Sequence, residues 1–297
     1  MKRPVFVSIV LILVLFTGIS PAADAAATDF NKGWTKTWGG TSQDTAVRMA
    51  VDRLGNVFVT GAFVGTVDFN PDPAKTELHT STNGSIDAFA AKYDPNGAFL
   101  WAKTWGGGPV SPVDGRDGRD VANGLVTDLA GNLYVCGSYQ YTVDFNPDPN
   151  VKVEYTSNAL NQNNIYVMKF APDGSFQWVK TWGPSDGGAE AYSLAVDSSN
   201  NVYAVGDFSG AQADFNPWNA PHDVHINHAR GWFDSWLVKF SSGGDFQWAK
   251  TWGGEGYDDG PAVTLDKAGN IYVAGMYASK IIDFDPDGGG VTDHPAS

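Results

Sequence analysis

The chain has 297 residues, 42% of them hydrophobic and 13% aromatic, with a formal net charge of −14. This is the composition of a globular protein with a sizeable core. An acidic surface without a basic stripe cannot neutralise phosphates, which excludes nucleic acid as a partner.

The first predicted element is a targeting segment. Lys2 and Arg3 precede the apolar run VFVSIVLILVLF (5–16), which TGISP interrupts before the small residues AADAAA. Charge, apolar stretch and A-x-A ending are the order of a secretory signal peptide, so residues 1–25 are read as removed and 26–297 as the mature domain. The run is shorter than the ~20 residues a bilayer span requires, and no transmembrane span is expected in the mature chain. The expected location is extracellular or at the cell surface, with the periplasm as the other compartment.

There is one cysteine, Cys136, so internal disulfides do not hold the fold. It shares its place in the repeat described below with Thr60, Val205 and Ala274, and reads as a small buried strand residue. Among the acids, 29 Asp stand against four Glu. Asp suits tight turns and metal loops whereas Glu suits helices, so few helices are expected.

Internal repetition sets the architecture. W-x-K-T-W-G begins at Trp34, Trp101, Trp178 and Trp248. A second series is GNVFVTG (Gly55), GNLYVCG (Gly131), NNVYAVG (Asn200) and GNIYVAG (Gly269). A third is DFNPDP at Asp68 and Asp144, DFNPWN at Asp214 and DFDPDG at Asp283. The segments AAKYDPNG (Ala90), VMKFAPDG (Val167) and LVKFSSGG (Leu237) form a fourth. The unit is about 70 residues, lengthened once by the insertion 107–120.

Each unit reads as four strands. Strand a is AVRMAVD (46–52), strand b NVFVTGAF (56–63), strand c DAFAAKYD (87–94) and strand d FLWAKTW (99–105). Period-two alternation, β-branched and aromatic residues, and Gly, Asn and Asp at the turns are strand and hairpin signals. Tandem four-stranded antiparallel sheets predict an all-β fold, a β-propeller, with about four blades visible. The units fall at 41–105, 106–182, 183–252 and, incompletely, 253–297, with 33–40 as a lone N-terminal strand d. In WAKTW the two Trp and the Lys share one strand face. Such a ladder could grip a sugar, but its recurrence in every unit reads first as packing between blades.

The cassette D-x-x-G-N-V-Y-V-x-G, V-D-F-(N/D)-P and D-x-F-x-x-K-(Y/F)-x-x-x-G-x-x-x-W resembles the bacterial β-propeller repeat family called SBBP. The resemblance runs from Trp34 to Gly288. It implies a secreted or cell-surface propeller and no shared catalytic residue. The chain departs from whole units at its last blade, which lacks strand c. A four-bladed ring closing imperfectly, a piece of a longer propeller and assembly with another chain are all open, and the second satisfies the unpaired sheet edge most simply.

Long loops on a rigid scaffold are where function concentrates, and the b–c and d–a connections are the long ones. Both leave the same face. Calcium loops place oxygen ligands at positions 1, 3 and 5. Asp68, Asn70 and Asp72 fit that spacing, as do Asp144, Asn146 and Asp148, and Asp283, Asp285 and Asp287, the last followed by Gly288. Trp218 breaks the pattern in the third copy. The competing reading is an Asx-type turn stiffened by Pro, in which the side chains accept backbone N–H groups. The cluster HDVHINH (222–228) invites a transition-metal reading, but His225 recurs as His79, Tyr155 and His294, which reads as a packing position.

The c–d turn DPNGAFLW (94–101) lacks the D-x-G of a sialidase Asp box and the T-G pair of quinoprotein propellers. No G-x-S-x-G or H-E-x-x-H is present. The sequence therefore predicts a secreted non-catalytic scaffold that binds an extracellular ligand, glycan or protein, with calcium as the candidate cofactor. The alternative is an extracellular or periplasmic glycan hydrolase, which paired carboxylates about 5–10 Å apart near the axis would favour.

Overall fold

A computed structural model describes residues 10–14, 33–108, 118–158, 162–227, 232–284 and 293–295. Val10–Val14, in the middle of the apolar N-terminal run, form β1. It pairs antiparallel with β2 (Trp34–Gly40), the lone strand d, from Val10 opposite Trp38 to Val14 opposite Trp34. The rest of the segment read as a signal peptide lies outside the described residues.

The first blade begins with β3 (Asp44–Val51) and β4 (Val57–Val64). A short hairpin, β5 (Thr66–Asp68) and β6 (Leu78–Thr80), precedes β7 (Ile86–Tyr93) and β8 (Phe99–Gly107). The second blade repeats this with β9 (Val121–Thr127), β10 (Leu133–Tyr139), β11 (Thr142–Asp144), β12 (Glu154–Thr156), β13 (Asn164–Phe170) and β14 (Phe176–Trp182). The third has β15 (Ala189–Val196), β16 (Val202–Phe208), β17 (Gln212–Asp214), β18 (Val224–Ile226), β19 (Asp234–Phe240) and β20 (Phe246–Trp252). The fourth unit supplies β21 (Asp258–Leu265), β22 (Ile271–Tyr277) and the hairpin β23 (Ile281–Asp283) with β24 (Asp293–Pro295). In each of the first three units the long strands pair antiparallel in the order a, b, c, d. The a strands β3, β9, β15 and β21 pack successively against one another. The fold is an all-β propeller of four-stranded antiparallel blades.

Turn chemistry explains why each a strand stops where it does. Asp52 Oδ1 accepts from the amides of Leu54 and Asn56 at 2.9 Å, while Asn56 Nδ2 donates to Asp52 Oδ2 at 2.8 Å. Asp128 with Asn132, Asp197 with Asn201 and Asp266 with Asn270 repeat the same clasp. The D-x-x-G-N string is thus a self-satisfied Asx turn.

The core lies between sheets. Trp105 packs on Tyr166 and Phe170 of the next blade at ring distances of 6.0 and 5.7 Å. Trp182 stands in the same relation to Trp236 and Phe240 at 5.5 and 5.6 Å, and Trp38 to Tyr93 at 5.2 Å. The repeated Trp of strand d are therefore interblade packing, as their recurrence suggested. The first Trp of three ladders is tied down as well: Trp34 Nε1 donates to the Pro95 carbonyl at 2.9 Å, Trp101 Nε1 to that of Pro172 at 3.2 Å and Trp178 Nε1 to that of Ser242 at 3.3 Å.

One feature of the b–c connection was not readable from strand patterns. It contains a hairpin that reaches back to the preceding blade: β5 pairs β2, and β11 pairs β8. The glycines that follow W-x-K-T-W-G make this possible, because a Cβ on Gly40 would collide with the Thr66 carbonyl and one on Gly107 with that of Thr142.

Candidate functional site

The Asp-rich strings sit between the two strands of these hairpins. Asp68 Oδ1 accepts from the amides of Asn70 at 3.0 Å and Glu77 at 2.8 Å. Asn70 Oδ1 accepts from Asp72 N, and Asp72 Oδ1 from Ala74 N, each at 3.0 Å. Asp144, Asn146 and Asp148 repeat the ladder, accepting from Asn146 and Val153, from Asp148, and from Asn150. Asx turns in series thus engage the oxygens proposed as metal ligands. Among the described residues no set of three or more His, Cys, Asp or Glu is arranged to hold a metal ion. Asp285 and Asp287 lie outside the described residues, and Asp283 is placed only as the end of β23.

The histidines follow the repeat. His79 Nδ1 meets Thr104 Oγ1 at 3.0 Å with its ring on Phe69, and His225 meets Thr251 at 3.0 Å with its ring on Phe215. His222 Nδ1 is 2.6 Å from Asp214 Oδ2, and His228 lies outside the described residues. Cys136 is fully buried, and burial raises its thiol pKa, so it is a packing residue.

The structure brings together a second acidic group that no string search identifies. At the sheet end from which the b–c and d–a connections leave, one side-chain row crosses each blade. In the first blade it is Thr45, Ala62, Ala88 and Trp105, in register across β3, β4, β7 and β8. In the second it is Val121, Ser138, Ile165 and Trp182. In the third the same row reads Glu190, Asp207, Ser235 and Trp252. Directly paired residues of antiparallel strands share a face, so these side chains line one surface, turned towards β21.

Asp207 is 1% exposed. Its Oδ2 accepts from the Tyr192 hydroxyl at 3.1 Å and lies 3.5 Å from that of Tyr257, while Oδ1 has no protein partner. Burial, then the Asp259 carboxylate, push its pKa up to about 8, with Glu190 adding and the tyrosine hydroxyls opposing. Asp259 is raised too, by burial and then by Glu190. Tyr257 is pushed up to about 12 by burial and the carboxylates of Asp207 and Asp259. Glu190, Tyr192, Tyr257 and Asp259 are all partly exposed and surround the buried Asp207. Glu190 is steadied from the second blade, where Asn163 Nδ2 donates to it at 2.9 Å and Gln140 in turn holds Asn163 at 2.7 Å. The signal that would have found this site is a break in the repeat: Asp207 stands where other blades carry Ala62, Ser138 and Met276.

Fold and site together define a β-propeller with an acidic cluster, Glu190, Asp207 and Asp259, where its third blade meets β21. No protein-family model matches the chain. It is similar to an uncharacterized WD repeat-containing protein of Acanthamoeba polyphaga mimivirus, at 23% identity over 282 residues, covering 86% of this chain and 20% of that protein. It is also similar to the regulatory protein FlaEY of Caulobacter vibrioides, at 24% identity over 265 residues, covering 84% of this chain and 26% of that one. The chain thus spans about a fifth to a quarter of the length of these curated relatives. No described helix is long and apolar enough to cross a membrane.

Proposed function

We propose that the chain is a secreted, non-catalytic propeller scaffold that binds a ligand, glycan or protein at its long-loop face. The observation that carries this reading is that the cross-blade row, uncharged in the first two blades, carries Glu190 and the buried Asp207 beside Ser235 in the third. A fold built by copying needs no such change, and buried carboxyl groups cost stability, so a requirement other than folding maintains it. Similarity to a WD repeat-containing protein fits a scaffold role. The N-terminal charge and apolar run support export. Calcium belongs in this reading to the fourth Asp-rich copy, Asp283, Asp285 and Asp287, whose spacing supplies three carboxylates followed by Gly288.

One observation favours hydrolysis instead. A carboxyl held protonated near neutral pH beside two other carboxylates is the arrangement from which acid–base pairs are built. A polysaccharide panel separates the two readings. Saturable binding without release of reducing ends supports the scaffold, and release that Asp207→Asn abolishes supports the hydrolase. Mass measurement of the exported product, with loss of residues 1–25, tests secretion.

A further inference from the structure

The acidic cluster has buried polar atoms that the fold leaves unanswered. Asp207 Oδ1 and Asp259 Oδ1 are buried without a hydrogen-bond partner, and so is Ser235 Oγ on a residue 1% exposed. Ser235 is paired directly with Asp207, and its Oγ lies 3.4 Å from where a Cβ on Gly260, next to Asp259, would stand. Asp207 Oδ1 and Ser235 Oγ therefore lie on one face of the third blade against β21, with Asp259 near enough for its charge to act on Asp207. Unmade hydrogen bonds at buried groups are costly and rare, which marks the place where a donor from outside belongs.

We propose that this cluster binds a primary ammonium group, supplied by a lysine side chain of a protein partner; the assignment rests on the scaffold reading above. The groups acting most strongly on Asp207 are Asp259, Tyr192, Glu190 and Tyr257, and none of them is a cation. Among the described residues that act on Asp207, acceptors are in excess and no positive charge is present. An ammonium carries three donors and a full charge on a compact head, so it can answer Asp207 Oδ1 and Ser235 Oγ together and offset the charge of Asp259 beside them. A guanidinium fits less well, because its fork needs both oxygens of one carboxylate and Tyr192 already occupies Asp207 Oδ2. A metal ion would require three close ligands, and no such set occurs among the described residues.

Binding must ionise Asp207, whose raised pKa near 8 keeps it protonated in the unliganded protein at neutral pH. Affinity therefore rises from pH 6 to 9 and falls once the amine itself loses its proton near about 10.4. The groups that face Asp207 are Glu190 and Tyr192 on β15 and Tyr257 and Asp259 at the start of β21; burial raises both tyrosines, which keep their protons over this range, and it raises Asp259 as well.

Calorimetry of the full chain with n-butylammonium tests this. The variant Asp207→Ala with Ser235→Ala installs the residues of the first blade, Ala62 and Ala88, and is expected to fold at least as stably. Saturable binding that weakens at least about tenfold in this variant and in the isosteric Asp207→Asn is expected. No binding to the unmodified chain, equal binding to the variants, or affinity independent of pH overturns the proposal. Equal affinity for n-butanol also overturns it. Binding of n-butylammonium without binding of a blocked lysine tripeptide overturns the protein partner, while the ammonium site and the scaffold reading, which also admits a glycan, stand.

Discussion

Lys92 of the first blade donates a hydrogen bond to the main-chain carbonyl of Pro172 in the second, at 2.9 Å. The same carbonyl accepts from Trp101 Nε1 at 3.2 Å, and one blade further on Lys169 and Trp178 converge on the Ser242 carbonyl at 3.1 and 3.3 Å. The Lys of strand c and the first Trp of strand d thus fasten the first blade to the c–d turn of the second, and the second to that of the third. Lys92 is 6% exposed, and its ammonium sits 4.9 Å from the Phe58 ring centre.

Replacing Lys92 by Met keeps most of the stem and removes the charged donor. The expected cost is about 1–3 kcal/mol, the range for a hydrogen bond to a charged group. Guanidinium unfolding should show a lower midpoint with an unchanged slope; an unchanged midpoint would mean that Trp101 alone holds the Pro172 carbonyl.

Gly174 of that turn has φ +82°, and a Cβ there would come 2.9 Å from Lys103 Cε and 3.0 Å from the Trp101 ring. Gly174→Ala combines left-handed strain with an interblade clash. A loss of about 1–3 kcal/mol is expected in chemical unfolding. Gly269 has φ +85° with nothing near it, so Gly269→Ala should show the strain without the clash and cost less.

Stability should depend on pH through Asp207. Its folded pKa, near 8, lies above the ordinary 3.8, so between those values the folded state holds a proton that the unfolded state has lost. Stability falls as pH rises through this window and levels off above it. Asp207→Ala removes that part of the slope, leaving the parts from Asp87 and Asp120, which burial also raises. Equal slopes for the two proteins in melts from pH 5 to 8 would contradict the raised value.

Asp144→Ala removes the acceptor for the amides of Asn146 and Val153, at 3.1 and 3.0 Å, and should cost about 1–2 kcal/mol whether or not calcium is present. Calcium itself is tested by melting the protein in millimolar calcium and in chelator. A native-state ligand raises the midpoint by mass action, and the rise should vanish in the double variant Asp285→Asn, Asp287→Asn. Coincident midpoints in the unmodified chain would remove calcium from the account.

The blade was legible because its determinants are local. The β-branched and aromatic content of strands such as VFVTGAF, the clasp of Asp52 with Asn56 and the Trp ladder are each set within a few residues and then copied, so repetition made the pattern unmistakable. The hairpins that reach back from Thr66–Asp68 to β2 were not legible, since pairing between segments distant in sequence leaves no periodic trace in either.

The sequence by itself determined an all-β propeller with buried strand-d tryptophans and a long-loop face, because steric and hydrophobic preferences act residue by residue. Which acids matter was decided only by tertiary structure. The Asp-rich strings conspicuous in the sequence engage their oxygens in their own turns at Asp68 and Asp144, because the acceptors and the amides they bind lie close along the chain. Glu190, Asp207 and Ser235 come from three different strands and look ordinary one at a time. Strand register sets them side by side, and packing against the fourth unit then takes Asp207 and Ser235 out of water.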